Sequence, residues 1–184
     1  MATSTKRLFD VAGAAGGLHF YLPAMTLVAL AILLEDGYPL LFHQERLGVA
    51  RRPFTILKFR SMRDGKITRV GRILRSTGLD ELPQFINVLR GEMSAVGPRP
   101  LTAADIARLG WCGPRFDFRW RVPPGLTGLA QVMGTGSPGL SLHLDRAYIV
   151  RRSLRLDLRL IAWSFAINAI GKRRVRQMLA RRPM

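Results

Sequence analysis

Apolar and polar positions divide this chain unevenly. Residues 11–34 read VAGAAGGLHFYLPAMTLVALAILL, with no formally charged side chain. About 24 such residues are enough for one helix to cross the hydrocarbon core of a bilayer. Pro23 stands in the middle of the run, where it removes a backbone donor and crowds the carbonyl four residues earlier, so the pattern predicts a bend there. Gly13, Gly16 and Gly17 make the first half pliable. A cleaved signal peptide would have a shorter apolar core and a small-residue cleavage site, whereas this run ends in Leu33-Leu34-Glu35-Asp36. A straight span and a re-entrant helix, entering and leaving by one face, both fit. Cationic residues on both flanks favour the re-entrant form, because they place both flanks on the cytoplasmic side.

After Asp36 the pattern shortens. Residues 37–48 and 52–62 are rich in aromatic, Thr and Ile positions between turn residues, and predict two short strands or extended segments. Lys58 and Arg60 share one face of the second. Residues 68–78 predict a helix, with Val70, Ile73 and Leu74 on one side, Arg69, Arg72 and Arg75 on the other, and Gly78 as its C-cap. A second helix follows over 79–91, with Asp80 as N-cap, Pro83 in its first turn, and Leu82, Phe85, Ile86 and Leu89 as the buried face. Residues 103–118 suggest a short helix and a turn at Gly113-Pro114. Between Leu154 and Leu160 leucines alternate with charges as in a strand, but the following IAWSFAINAI is helical in character, and a helix is expected. Trp163 and Phe165, followed by Lys172, Arg173, Arg174, Arg176, Arg181 and Arg182, suit a helix lying on anionic membrane lipid; a packed helix with a basic tail is the alternative. The sum is a mixed α/β fold, helix-rich with small β elements.

Charge narrows the partners. The 184 residues include 29 Lys+Arg and 12 Asp+Glu, a formal net charge of +17. Such a surplus needs an anionic partner: nucleic acid, anionic lipid or a phosphorylated substrate. The chain is also 48% hydrophobic, which leans toward a membrane surface. The single cysteine, Cys112, excludes an intramolecular disulfide, and three scattered histidines give no zinc-ligand spacing. No Walker-type loop or dinucleotide fingerprint is present.

Against this background Asp80 and Glu81 stand together among Arg69, Arg72, Arg75 and Arg90. The plain reading is an N-cap and a first-turn acid. The chemical reading is that guanidinium groups keep a carboxylate ionised. One carboxylate then serves as nucleophile toward phosphorus, its neighbour holds Mg²⁺, and the arginines neutralise a diphosphate. Arg99, in the stiff Gly97-Pro98-Arg99-Pro100, suits a phosphate clamp.

The run KRLFD … FHQERLG … FTILKFRSM … ITRVGRILRSTGLDELPQFINVLRGEMSAVGPRPL … PPGLTGLAQVMG resembles the bacterial sugar transferase family, the monotopic phosphoglycosyl transferases, from Lys6 to about Leu160. The resemblance implies transfer of a sugar 1-phosphate from a UDP-sugar to a polyprenol phosphate such as undecaprenyl phosphate, at the start of surface-glycan (exopolysaccharide) assembly. It implies Asp80 as nucleophile, with an aspartyl phosphosugar intermediate and UMP released. It also implies Glu81, with Asp80, as the Mg²⁺ site, and Lys58, Arg60, Arg75 and Arg99 as phosphate contacts. Residues 1–36 would be a re-entrant helix broken at Pro23, and residues 37–184 a catalytic part on the cytoplasmic face of the bacterial inner membrane, as in the family's minimal members. The family usually has Ser where this chain has Leu22 and Gly78, and Asn-Gly-Arg where this chain begins the glycine-rich loop Met133–Gly139. A different class of reading is a membrane-tethered scaffold or nucleic-acid-binding protein whose basic surface is its function; it gives the acid pair no use beyond capping.

Overall fold

A computed structural model describes residues 4–134 and 136–181. Its first element, α1 (Ser4–Asp36), extends the apolar run by polar residues at each end into one 33-residue helix. One stripe of α1, recurring at steps of three and four residues, faces the rest of the chain: Asp10, Ala14, Gly17, Tyr21, Met25, Val28 and Ile32. Ala14 packs with Ile56, Val88 and Met93. Val28 and Ile32 pack with Phe59 and Leu74. Tyr21 stacks on Phe85 at 6.4 Å between ring centroids. Gly17 leaves room for the same ring, since a Cβ there would stand 2.8 Å from Phe85 Cζ. The opposite stripe, Leu8, Phe20, Leu22, Leu27, Leu30 and Leu34, is 50–79% exposed. Its most apolar 18-residue window has a mean hydropathy of 1.9 and is only 11% buried, unlike the core helix of a soluble protein. The break expected at Pro23 is not seen. The helix continues through Pro23, which lies on the exposed side, while Tyr21 and Met25 are packed on either side of it.

Both ends of α1 are fastened to the same body. At the N-terminal end Lys6 Nζ lies 2.8 Å from both Asp10 and Asp157. Arg7 donates to the carbonyls of Val88 and Leu89 at 2.6 and 2.8 Å. Asp10 accepts from the Ser94 hydroxyl and the Ala95 N–H at 2.8 and 3.1 Å. The Tyr148 hydroxyl completes this buried network, 2.8 Å from Asp157 and 2.9 Å from the Val96 carbonyl. Burial and Asp157 push its pKa up, so it stays a donor. At the other end Glu35 accepts from the N–H groups of Arg69 and Val70, both at 2.8 Å, and Asp36 pairs with Arg60 and Arg63 at 2.8 and 3.0 Å.

Strands β1 (Leu41–Leu47) and β2 (Pro53–Phe59) form an antiparallel pair as the sequence predicts. β3 (Met62–Arg63) and β4 (Lys66–Ile67) make a small hairpin, whose Asp64-Gly65 turn has positive φ at both residues, as a type I′ turn requires. Helix α2 (Arg69–Thr77) is capped by the Thr68 side chain and closed by Gly78 in the left-handed region. Its Val70 and Leu74 face the core one turn apart, but Ile73 is 62% exposed and does not join them.

The next helix begins later than expected. Residues Leu79–Glu81 form a 3-10 turn and α3 spans Gln84–Arg90, with Pro83 at the N-cap position. Asp80 therefore caps nothing. Pro83 has no N–H to give the Leu79 carbonyl, which accepts instead from Leu82 three residues on. The buried face of α3 also differs, because Gln84, Asn87 and Val88 go inside while Leu82, Phe85 and Leu89 are partly covered.

β5 (Ser94–Val96) pairs in parallel with β6 (Gly125–Thr127). Between them lie α4 (Ala103–Leu109), held by a Thr102–Asp105 capping box, and a 3-10 segment over Pro114–Arg121. The chain ends in α5 (Leu129–Met133), α6 (Pro138–Arg151), α7 (Leu154–Ile170) and α8 (Lys172–Arg181). Val96, Val132, Tyr148, Leu160, Ile167 and Val175 form their common core. The leucine alternation of 154–160 resolves as helix, with Asp157 and Leu160 turned inward together. Of the basic residues expected on lipid, the side chains of Lys172, Arg173, Arg176 and Arg181, and all of Arg182, lie outside the described residues.

Gly71 sits where α2 crosses the chain leaving β2, and a Cβ there would stand 2.0 Å from the Ser61 carbonyl oxygen. Backbone cannot yield as a side chain can, so Gly71→Ala should destabilise the protein by about 3 kcal/mol, the upper part of the overpacking range. Gly13→Ala meets nothing within 4 Å and should be neutral or stabilising. Thermal unfolding of both variants in detergent checks this contrast.

Candidate active site

The site begins with a buried amide. Asn87 on α3 accepts from the Leu57 N–H at 3.0 Å and donates to the Thr55 carbonyl at 2.7 Å and to Glu92 at 2.6 Å. Its amide thus extends the β2 edge as a further strand would. This fixes the turn that leads into α3 against the neighbouring Lys58, whose Nζ lies 2.5 Å from Glu81 Oε1. In the antiparallel register Lys58 is opposite Phe42, so Phe42, Gln44 and Arg46 stand on the same face of the sheet. Arg46 donates to Gln44 Oε1 at 2.5 Å and reaches Asp105 at 3.3 Å. Burial lowers its pKa, Asp105 and Glu81 oppose this, and its cationic neighbour Arg99 adds to it.

Arg99 arrives on a loop held from behind. The Arg99 carbonyl accepts from Arg119 Nη2 at 2.5 Å, and Arg119 Nε pairs with Asp145 at 2.8 Å, both side chains almost wholly buried. The Arg119 guanidinium lies 5.5 and 5.9 Å from the ring centroids of Trp111 and Trp120. The loop packs backbone to backbone, since a Cβ on Gly97 would stand 2.4 Å from the Pro123 carbonyl oxygen. Arg75, in the last turn of α2, completes the ring of cations, its Nη1 3.2 Å from Met62 Sδ.

These groups surround a cleft of about 1550 Å³ bounded by α1, the β1–β2 face, α2 and α7. Asp80, Glu81, Lys58, Arg75 and Arg99 all line it, as does Arg46. Arg60 borders the cleft too, but its charge is turned away. It donates to the carbonyls of Asp36, Gly37 and Tyr38 at 2.8–3.0 Å and pairs with the Asp36 carboxylate, closing the end of α1. Arg46, Asn87 and Arg119 are the residues that sequence reasoning missed. Only Arg46 left a signal, its two-residue spacing from Gln44 along a strand.

The sequence suggested that neighbouring cations would keep Asp80 readily ionised. The structure reverses the balance. Burial raises the Asp80 pKa above the ordinary carboxylate value, and Glu81 raises it further; Lys58 and Arg75 pull it down without overcoming this. Asp80 is therefore a more basic carboxylate than usual, in reach of cations that can hold a phosphate.

Among the described residues no three His, Cys, Asp or Glu side chains converge as a metal cage. Two adjacent carboxylates that repel one another fit a different type of site, in which Mg²⁺ takes one or two carboxylates and fills the rest of its shell with phosphate oxygens and water.

Residues 1–170 match the bacterial sugar transferase family. The chain is 42% identical to the UDP-glucose:undecaprenyl-phosphate glucose-1-phosphate transferase of Caulobacter vibrioides, over 85% of this chain and 66% of the relative. It is 35% identical to the UDP-N-acetylgalactosamine-undecaprenyl-phosphate N-acetylgalactosaminephosphotransferase of Aeromonas hydrophila, over 85% of this chain and 41% of the relative. To the exopolysaccharide production protein PSS of Rhizobium leguminosarum bv. phaseoli it is 36% identical, over 85% of this chain and 90% of the relative. The chain thus spans less than two thirds of the first two relatives and most of the third. With 170 residues matched across the apolar N-terminal helix, the acid pair and the cationic loop, the chain belongs to the bacterial sugar transferase family.

Proposed function

We propose that this chain transfers a sugar 1-phosphate from a UDP-sugar to a polyprenol phosphate, in two steps on Asp80. The observation that carries the reading is the half-buried Asp80 beside Glu81, Lys58 and Arg75 in one cleft against an apolar helix. The Asp80 carboxylate attacks the sugar-bearing phosphorus. An aspartyl–phosphorus bond forms as the bond to the UMP oxygen breaks, and UMP leaves with that electron pair. A phosphate oxygen of the polyprenol phosphate then attacks the same phosphorus, releasing the Asp80 carboxylate and giving a polyprenyl diphosphate sugar. No net proton is needed. Lys58, Arg75, Arg99 and Arg46 hold the diphosphate oxygens, and Asp80 and Glu81 hold Mg²⁺, which when bound neutralises charge on those oxygens. The relatives named for this transfer use undecaprenyl phosphate with glucose or N-acetylgalactosamine, which supports the acceptor and leaves the sugar to the cleft.

The same reading gives α1 its role. A helix of 33 residues is about 50 Å long, well beyond the roughly 30 Å hydrocarbon core. A straight span would carry one end to the far side, yet Lys6, Arg7 and Asp10 at one end and Glu35 and Asp36 at the other are bonded to the same domain. On this reading both ends stay on one face, the cytoplasmic face of the inner membrane, and a bend at Pro23 within the continuous helix lets its exposed leucines dip into lipid while cationic residues meet anionic headgroups. The acceptor is then delivered from the same leaflet.

Detergent-purified protein with Mg²⁺ and a panel of UDP-sugars should gain the mass of one phosphosugar and release UMP. Asp80→Asn should show neither, while still binding UDP. Normal transfer by that variant would refute the nucleophile. Because the raised pKa limits the ionised fraction, the rate of adduct formation should climb with pH through a limb above the usual carboxylate range. Arg75→Gln removes an attractive charge and should move that limb to higher pH; Glu81→Gln removes a repulsive one and should move the residual limb lower. In a Cys112→Ser background, single cysteines placed at Thr5 and at Tyr38 should react with a membrane-impermeant maleimide from the same side of sealed inverted vesicles. Labelling from opposite sides would require a span.

A further inference from the structure

The cleft has a second wall that the phosphate chemistry does not use. It is neutral and polar. On α7, Ile161, Ser164, Phe165 and Asn168 recur at steps of three and four residues and line the cleft together. The Ser164 hydroxyl is bonded to that of Thr127 at the end of β6, and Thr127 is opposite Val96 in the parallel pair leading to the Arg99 loop. One turn on, Gln131 also lines the cleft, with its Oε1 buried and without a hydrogen-bond partner among the described residues. At the other end, Asn168 Nδ2 stands 3.6 Å from the point that a Cβ on Gly78 would occupy. Gly78 opens the turn that carries Asp80, and its carbonyl accepts from the Glu81 N–H. The wall therefore runs from beneath the Arg99 loop to the nucleophile's own turn.

We infer that Thr127, Gln131, Ser164 and Asn168 form the surface that reads the hydroxyl pattern of the donor sugar, an inference that rests on the transfer proposed above. Two arguments select the sugar over the uracil. The phosphorus attacked by Asp80 is the one that bears the sugar, so groups adjoining the Asp80 turn meet the sugar first. The groups are also of the right kind: hydroxyls and carboxamides both donate and accept, as a ring of sugar hydroxyls requires, and none carries charge. Gly78 adds to this. Lacking a side chain, it leaves the Asn168 amide, 3.6 Å from where a Cβ would stand, uncovered on that side. Farther along α7 the cleft face turns apolar at Ile161 and Leu158, so the polar wall is confined to the end nearest the acids.

The test uses equilibrium binding of UDP and of UDP-glucose, UDP-galactose, UDP-N-acetylglucosamine and UDP-N-acetylgalactosamine to the full chain in detergent. Wild type, Asn168→Ala and Gln131→Ala are compared. Asn168 is exposed, so its loss leaves the core untouched. Each variant should reduce the preference for the best UDP-sugar over its epimer by about three- to tenfold, the weight of one neutral hydrogen bond, with UDP affinity unchanged. If UDP affinity falls in step, the wall faces the uridine; if the preference stays the same, it does not touch the sugar. Either result overturns the inference. Failure of the reaction itself is read separately, as wild-type protein that binds UDP-sugars selectively but forms no phosphosugar adduct.

Discussion

The charges at the two ends of α1 govern the arrangement of everything else. An apolar helix of this length would be free to leave a small domain and cross the bilayer. Here Asp10, 3% exposed, is held by Lys6, Ser94 and the Ala95 N–H, and Glu35 closes the first turn of α2. Pulling the N-terminal end away would strand the buried charges of Asp10 and Asp157, which is far more costly than the loss of a surface ion pair. With both ends pinned, α1 must lie along β2, α2 and α3. One side becomes part of the core, and the other remains an unbroken apolar surface. The side that packs inward also forms one wall of the cleft, so the helix that meets lipid and the pocket that holds the acids are the same piece of structure.

Within the cleft the balance is between burial and charge. Four cations line the cleft close to Asp80, and Lys58 and Arg75 pull its pKa down. Desolvation, helped by the neighbouring Glu81 charge, raises the Asp80 pKa against the pull of Lys58 and Arg75, and Lys58 is already committed to Glu81. The result separates the pair. Glu81 is paired and fixed, whereas Asp80 keeps its basicity, which is what a carboxylate nucleophile needs. The surplus of cations is left for an incoming anion.

Much of the fold could be read from local pattern. The Gly78 cap of α2, the strands β1 and β2, the apolar helix and the acid pair all announce themselves within a few residues. Where the reading failed, the cause lay at a distance. Asn87 looks like one polar position between apolar ones, but its partners are main-chain groups about thirty residues earlier. Arg119 acts on a carbonyl 20 residues away and Arg60 on carbonyls more than 20 residues away.

The two walls of the cleft are built differently, and this bears on how such an enzyme can change its substrate. The phosphate side depends on backbone-to-backbone approaches that admit no Cβ, at Gly97 and Gly125 behind the Arg99 loop and at Gly71 beneath α2. Almost any alteration there moves a cation. The neutral wall is carried on side chains of α5 and α7 whose helices are positioned by residues on their other faces, such as Val132, Leu160 and Ile167. Ser164 and Asn168 can be exchanged without disturbing that packing. On the function proposed above, a fold so divided would keep the phosphorus chemistry rigid while leaving the face toward the sugar open to substitution, and the choice of donor would lie in four side chains rather than in the scaffold.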